Sequence, residues 1–211
     1  MAIGVCLSHK VGDAATMASF INDWATMTRN PDGKLSPEFN LASMFPQGDL
    51  PILPEAVTKE GNSFSKRFVF DASKIAALKA IVGDKVKNPT RVEVVTALIY
   101  KCAFSASRSS SGSTKPTLWC NFPLYEADFG WGKPIWVTVA RCAINGAILL
   151  MDARSGNGVE VFVTLEEQDM AVFERDAELL EFASSNPSAL DSDLKPTSLF
   201  AICGVEDKCY L

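Results

Sequence analysis

Ala2-Ile3-Gly4-Val5-Cys6-Leu7-Ser8-His9-Lys10-Val11-Gly12-Asp13 hands an apolar run straight to a helical pattern, and that handover decides the fold class. Residues 2–7 read as a buried strand. From Ala14 onward Met17, Phe20, Ile21 and Trp24 recur at helical spacing, while Asn22 and Asp23 fall off that face. The junction between them carries Gly12, which loosens the backbone, and Asp13, which is placed to cap the helix. His9 sits in this junction and is the chain's one histidine. Imidazole is the side chain that changes charge near neutrality, so imidazole-based proton transfer in this protein would fall to His9. As bare spacing, a His four residues before an Asp reads more readily as a surface side chain beside a helix cap, and the strand-to-helix junction is what favours a catalytic role.

The rest of the chain continues the alternation of helix and strand. Asn30-Pro31-Asp32-Gly33 is a turn, and the Pro-dotted stretch to Pro54 reads as a long irregular connection. Phe64 to Phe70 reads as a strand with Phe68 and Phe70 on one face, and Asp71 caps a helix carrying Ile75, Leu78 and Val82. Thr90-Arg91-Val92-Glu93 is a capping box opening a helix whose buried stripe is Val94, Val95, Leu98, Ile99 and Cys102. The serine-rich stretch 105–113 then marks the clearest boundary in the chain. Beyond it, Ile135 to Ala140 and Ala147 to Met151 flank Asn145-Gly146 and predict a hairpin. A second turn at Ser155-Gly156-Asn157-Gly158 leads to alternating Val159, Val161 and Val163. Thr164-Leu165-Glu166-Glu167 predicts another capped helix with Met170, Phe173, Leu180 and Phe182, its acidic outer face solvated. The tail from Ser184 is Ser/Pro/Asp-rich and reads as disordered up to a strand-like Leu199-Phe200-Ala201-Ile202. The expectation is an α/β fold with mixed sheets and flanking helices.

Composition narrows the function. The 211 residues carry 47% hydrophobic side chains and a net charge of −5, without the basic stripe that a nucleic-acid partner requires. Six scattered cysteines and one histidine give no zinc-site spacing, so no metal is expected and buried reduced thiols in the cytoplasm are the default. No apolar run is long enough to span a bilayer, and no secretory leader opens the sequence. Lys59, Lys66, Arg67, Lys85, Lys87 and Arg91 are candidates for an anionic cofactor, but scattered among acids they read as solvated charges. Asp128-Phe129-Gly130-Trp131-Gly132 reads as a tight loop packed under a large ring. Its Asp-Phe-Gly string is not a kinase signature, because no glycine-rich loop, paired lysine or His-Arg-Asp loop precedes it.

His9-Lys10-Val11-Gly12-Asp13 (H-x-x-x-D) followed much later by Asp128-Phe129-Gly130-Trp131-Gly132 (D-F-G-W-G) resembles the plant BAHD family of acyl-CoA-dependent acyltransferases. Residues 20–25, Asn88-Pro89-Thr90-Arg91 and Leu165 to Met170 resemble its alkaloid-type, vinorine synthase-like branch, and the likeness extends to about Leu190. The resemblance implies a chloramphenicol-acetyltransferase-like fold and a ternary-complex acyl transfer with His9 as general base. The co-substrate would be acyl-CoA, acetyl-CoA in the first instance. The acceptor would be an alcohol or amine, such as an alkaloid hydroxyl. Asp13 would brace the loop, and Asp128, Phe129, Gly130, Trp131 and Gly132 would be structural.

Family members are roughly double this length, so the chain reads as a truncated and internally deleted member. A partial N-terminal domain would cover 1–113, a partial C-terminal domain 114–190 and a disordered tail 191–211. The absent central segment would include the arginine that pairs with the motif aspartate. The resemblance implies a monomer, whereas strand edges opened by a deletion would permit self-association. A catalytically dead remnant that binds a full-length relative is the alternative reading.

Overall fold

The computed structural model describes residues 2–8, 11–35, 37–44, 46, 48, 62–108, 116–120, 122–139, 145–188 and 199–202. In chain order these form β1 (Ala2–Val5), α1 (Ala14–Arg29), a four-residue α2 (Leu41–Met44), β2 (Ser63–Phe70), α3 (Ala72–Val82) and α4 (Arg91–Ser107). Then come β3 (Thr117–Trp119), a 3₁₀ turn (Leu124–Glu126), β4 (Val137–Val139), β5 (Ala147–Asp152) and β6 (Val159–Glu166). α5 (Glu167–Phe173), α6 (Ala177–Phe182), β7 (Ser184–Ser185) and β8 (Leu199–Ile202) complete the described chain.

A mixed five-stranded sheet, ordered β3-β5-β6-β2-β7, forms the middle layer. β6 is its centre and is buried on both faces up to its last residue. Val159, Val161, Val163 and Leu165 face one core, together with Phe68 and Phe70 of β2 and the buried stripes of α3 to α6. Phe162 faces a second core, made with Met17, Ile21 and Ala25 of α1 and with Phe122, Leu124, Tyr125 and Phe129. The sheet is therefore covered by helices on one side, and by α1 with the 122–129 segment on the other. A separate parallel sheet, β1-β8-β4, is built from the start, the end and the middle of the sequence.

The locally coded elements form where the sequence places them. Asp71 Oδ1 accepts from the Lys74 amide at 2.9 Å, and Thr90 and Glu93 make both bonds of their capping box. All five residues of the expected α4 stripe are buried. Residues 153–158 close a β5–β6 hairpin, with Gly156 at φ 76°.

Five expectations are corrected. The run 2–7, expected as a buried strand, gives β1 only over Ala2–Val5, and its residues alternate between exposed and half-buried. The strands on either side of Asn145-Gly146 do not pair with each other. β4 pairs with β8, while β5 pairs with β3 and β6; the dipeptide makes a turn, but partner choice is a tertiary matter. Thr164 caps no helix. It lies inside β6, buried, with its hydroxyl 2.7 Å from that of Ser65, and the helical stretch is split into α5 and an α6 capped by Asp176. The acidic face is correspondingly not simply solvated. Asp169 is buried beside Ser107, Glu174 pairs with Lys66 and Glu178 pairs with Lys101. Cys102 and Cys120 are free thiols as expected, but Cys6 is disulfide-bonded, a pairing that scattered spacing does not encode.

The five-stranded sheet draws on both sides of the 113/114 boundary. β2 of the first block lies between β6 and β7 of the second. Of residues 191–211, the strand-like Leu199–Ile202 forms β8, and the remainder lies outside the described residues. No described helix is long and apolar enough to cross a membrane.

Candidate functional site

His9 and Lys10 lie outside the described residues, so the site is built from what flanks them. The Ser8 carbonyl accepts from the Val11 amide at 2.9 Å and from the Gly12 amide at 3.4 Å, drawing the chain tight on either side of the pair. Gly12 is required for space rather than for an unusual φ. A Cβ there would stand 2.9 Å from Thr16 Cγ2 and 3.3 Å from Leu7 Cδ2. Asp13 holds the N-cap of α1, its Oδ1 accepting from the Thr16 amide at 2.8 Å and the Thr16 hydroxyl at 2.7 Å. The sequence reading of Asp13 as a cap therefore describes its geometry. Asp13→Ala removes that acceptor and should cost about 1 kcal/mol of stability, read by urea unfolding, while Asp13→Asn should retain most of it.

At the opposite end of α1 stands the second motif. Asp128 Oδ1 accepts from the amides of Gly130 (2.8 Å) and Gly132 (2.9 Å), wrapping the loop around one carboxylate oxygen. Both glycines have positive φ, 98° and 90°, which explains why this loop needs them. Phe129 is buried, edge-on to Trp24 at 5.0 Å and stacked on Trp131 at 6.0 Å. Arg29, the last residue of α1, places Nη1 4.0 Å from Asp128 Oδ2. The motif aspartate thus faces an arginine from α1, where the sequence reading looked to an absent segment for that arginine.

The Gly130 amide, then that of Gly132, and the Arg29 charge hold the Asp128 carboxyl below its usual 3.8. Because the folded value is lowered, the loop's stabilisation is complete above the ordinary carboxylate range and is lost as pH falls below it. Trp131 emission should therefore change on acidification below about pH 4, earlier than global unfolding, and should lose that step in Asp128→Asn.

Two aromatic residues assigned to the core stripe of α1 behave otherwise. Phe20 and Trp24 are 58% and 44% exposed, while α1 buries Met17, Ala18, Ile21 and Ala25. The row 20/24 turns towards the 128–132 loop instead, in the order Phe20, Trp24, Phe129, Trp131. Nothing in the helical period distinguishes two adjacent apolar rows, so only the loop's position reveals which row meets it.

The candidate anion-binding cations do not converge. Arg67 is buried against Glu160, Arg91 reaches Asp152 and the Gly156 carbonyl, and Lys59 lies outside the described residues. A cleft of about 230 Å³ opens between the start of α4, the 120–123 segment and the β5–β6 end, lined by Val92, Cys120, Phe122, Met151 and Asp152 among others. None of the motif residues described here lines it. No group of metal-ligating side chains occurs among the described residues.

The model of the Transferase family matches residues 1–118 and, again, 116–180. The chain belongs to this family, the plant BAHD acyl-CoA-dependent acyltransferases. It is 31% identical to the 17,18-epoxy-17-hydroxycur-19-ene N-malonyltransferase of Strychnos nux-vomica, over 87% of this chain and 60% of that protein. Among solved structures it is similar to vinorine synthase, with a TM-score of 0.65 and 27% identity over 82% of this chain and 60% of that one. The F. sporotrichioides TRI101 structure, complexed with coenzyme A and T-2, shares the fold at a TM-score of 0.54 and 10% identity, over 81% of this chain and 64% of that one.

This BAHD chain thus spans about 60% of the length of the relatives it matches. The alignment to the malonyltransferase is 277 residues long, longer than the 211-residue chain itself. Within the aligned span, therefore, that relative carries residues this chain lacks.

Proposed function

We propose that this chain is an acyltransferase that moves an acyl group, acetyl in the first instance, from acyl-CoA to a hydroxyl of a plant specialised metabolite such as an alkaloid, in the cytoplasm. The observation that supports the reading is the meeting of both family motifs on one helix: Asp13 caps the start of α1, while Trp24 and Arg29 hold the Asp128–Gly132 loop near its end. His9 is the general base. Its imidazole takes the acceptor's O–H proton as the oxygen attacks the thioester carbonyl carbon. The tetrahedral intermediate then breaks its C–S bond, and the departing thiolate of coenzyme A takes up the proton from the imidazolium. Asp13 accepts from Thr16 at the helix cap, which supports the family role of bracing the loop.

The shortened aligned span favours a second reading. On this reading the residues missing within the aligned span are channel walls, and much of the rate of such a reaction comes from holding both reactants in one geometry. On that reading the chain is catalytically dead and pairs with a full-length relative. Incubating the purified protein with acetyl-CoA and a panel of alcohols, beside His9→Ala, separates the two. Ester formation that disappears in the variant supports acyl transfer, and thiol release equal in both proteins overturns the proposed base.

A further inference from the structure

We propose that the outward face of α1 is a contact between two copies of this chain, packed antiparallel about a two-fold axis that crosses the helix between Phe20 and Trp24. The inference goes beyond the acyltransferase reading and does not depend on it. α1 buries Met17, Ala18, Ile21 and Ala25 against the protein, yet exposes Phe20 and Trp24 on its other side. Of its 16 residues only Asp23 and Arg29 are charged. A helix that is apolar on both sides belongs between two surfaces. Trp131, also exposed and linked to Trp24 through the Phe129 ring, widens the apolar patch beyond the helix.

Three features fit a second copy. The exposed row reads Thr16, Phe20, Trp24, Thr28, which is small, aromatic, aromatic, small in either direction. Antiparallel copies therefore bring Phe20 of each onto Trp24 of the other, and Thr16 onto Thr28. The row is also ready to lose water. Thr16 donates its hydroxyl to Asp13 Oδ1 at 2.7 Å and Thr28 donates to the Trp24 carbonyl at 2.9 Å, so both hydroxyls keep an acceptor when covered. Charge sets the direction. Asp13 stands exposed at one end of the helix and Arg29 at the other, so the antiparallel arrangement places unlike charges opposite each other and opposes the two helix dipoles. An anionic bilayer fits this face less well, because membrane-surface helices carry several Lys or Arg, whereas this one carries a single cation on a chain of net charge −5. A helix face of about 24 by about 10 Å falls well short of the roughly 800 Å² per partner of a standard interface, even with Trp131 added. The dimer is therefore reversible and concentration-dependent.

Sedimentation velocity of the full chain from about 1 to about 500 μM should show a monomer–dimer equilibrium. Phe20→Lys should weaken it by at least about thirtyfold, the loss typical of a central aromatic anchor, and Phe20→Glu should do the same. An equimolar mixture of the two variants should regain the dimer, because opposite charges then stand near each other across the axis. Phe104→Lys, comparably exposed on α4, should associate as the wild type does. Circular dichroism and the urea midpoint check that each variant is folded, and if Phe20→Lys is not, Phe20→Ser takes its place with loss of the dimer again expected. A wild-type chain that stays monomeric throughout the range overturns the proposal. So does a folded Phe20→Lys that dimerises like the wild type, which would move the association to the strand edges, or an equal loss in Phe104→Lys. A mixture of the two Phe20 variants that remains monomeric overturns the two-fold arrangement.

Discussion

His9→Ala should lower ester formation by about 10²–10⁴-fold while leaving the urea midpoint within the error of wild type. The size follows from the acceptor. An alcohol is a weak nucleophile at neutral pH, and a base that takes its proton during attack supplies roughly that factor. The chain has no second imidazole to take over. His9→Gln, which can hydrogen-bond but cannot serve as a base near pH 7, should be as slow as His9→Ala. A variant with undiminished ester formation would remove imidazole catalysis from the account altogether.

The second large effect concerns stability. Arg67 of β2 and Glu160 of β6 bond through Nε and Oε2 at 2.7 Å with side chains 8% and 4% exposed. They are diagonal neighbours on adjacent antiparallel strands, since Arg67 pairs in register with Phe162 and Val69 with Glu160. Two further polar atoms of the pair are occupied as well. Tyr125 donates its hydroxyl to Glu160 Oε1 at 3.0 Å, and Arg67 Nη1 donates to the Pro187 carbonyl at 2.9 Å. Burial, followed by the neighbouring Glu160 charge, pushes the Tyr125 hydroxyl up from its usual value and keeps it a donor.

Glu160→Ala strands a buried guanidinium and leaves Tyr125 without its acceptor. The expected loss is about 3–5 kcal/mol in urea unfolding, the range for breaking a buried pair from one side. Arg67→Met with Glu160→Leu should lose much less, because no buried charge is left alone. Lys133→Met, which opens an exposed pair with Glu126, should change stability by less than about 1 kcal/mol. A Glu160→Ala loss as small as that of Lys133→Met would mean that water reaches the Arg67 site.

The parts of this protein that its sequence by itself determined are those whose partners lie within a few residues. Asp13, Asp71 and the Thr90–Glu93 box cap their helices because the amides they satisfy are three positions away. The β5–β6 hairpin forms because its turn is contiguous, and the two family motifs are legible as strings. The tertiary structure decided everything that depended on a distant partner. Thr164 joined a strand because Ser65, 99 positions earlier, lies across from it. Residues on either side of Asn145-Gly146 went to different sheets, and Arg67, read as a solvated cation, was buried because Glu160 stands 93 positions along the chain. Arg29 met Asp128 for the same reason. Local periodicity and capping chemistry fix what a segment becomes, but an apolar row or a charge carries no record of which remote surface will cover it. That is settled when the layers pack.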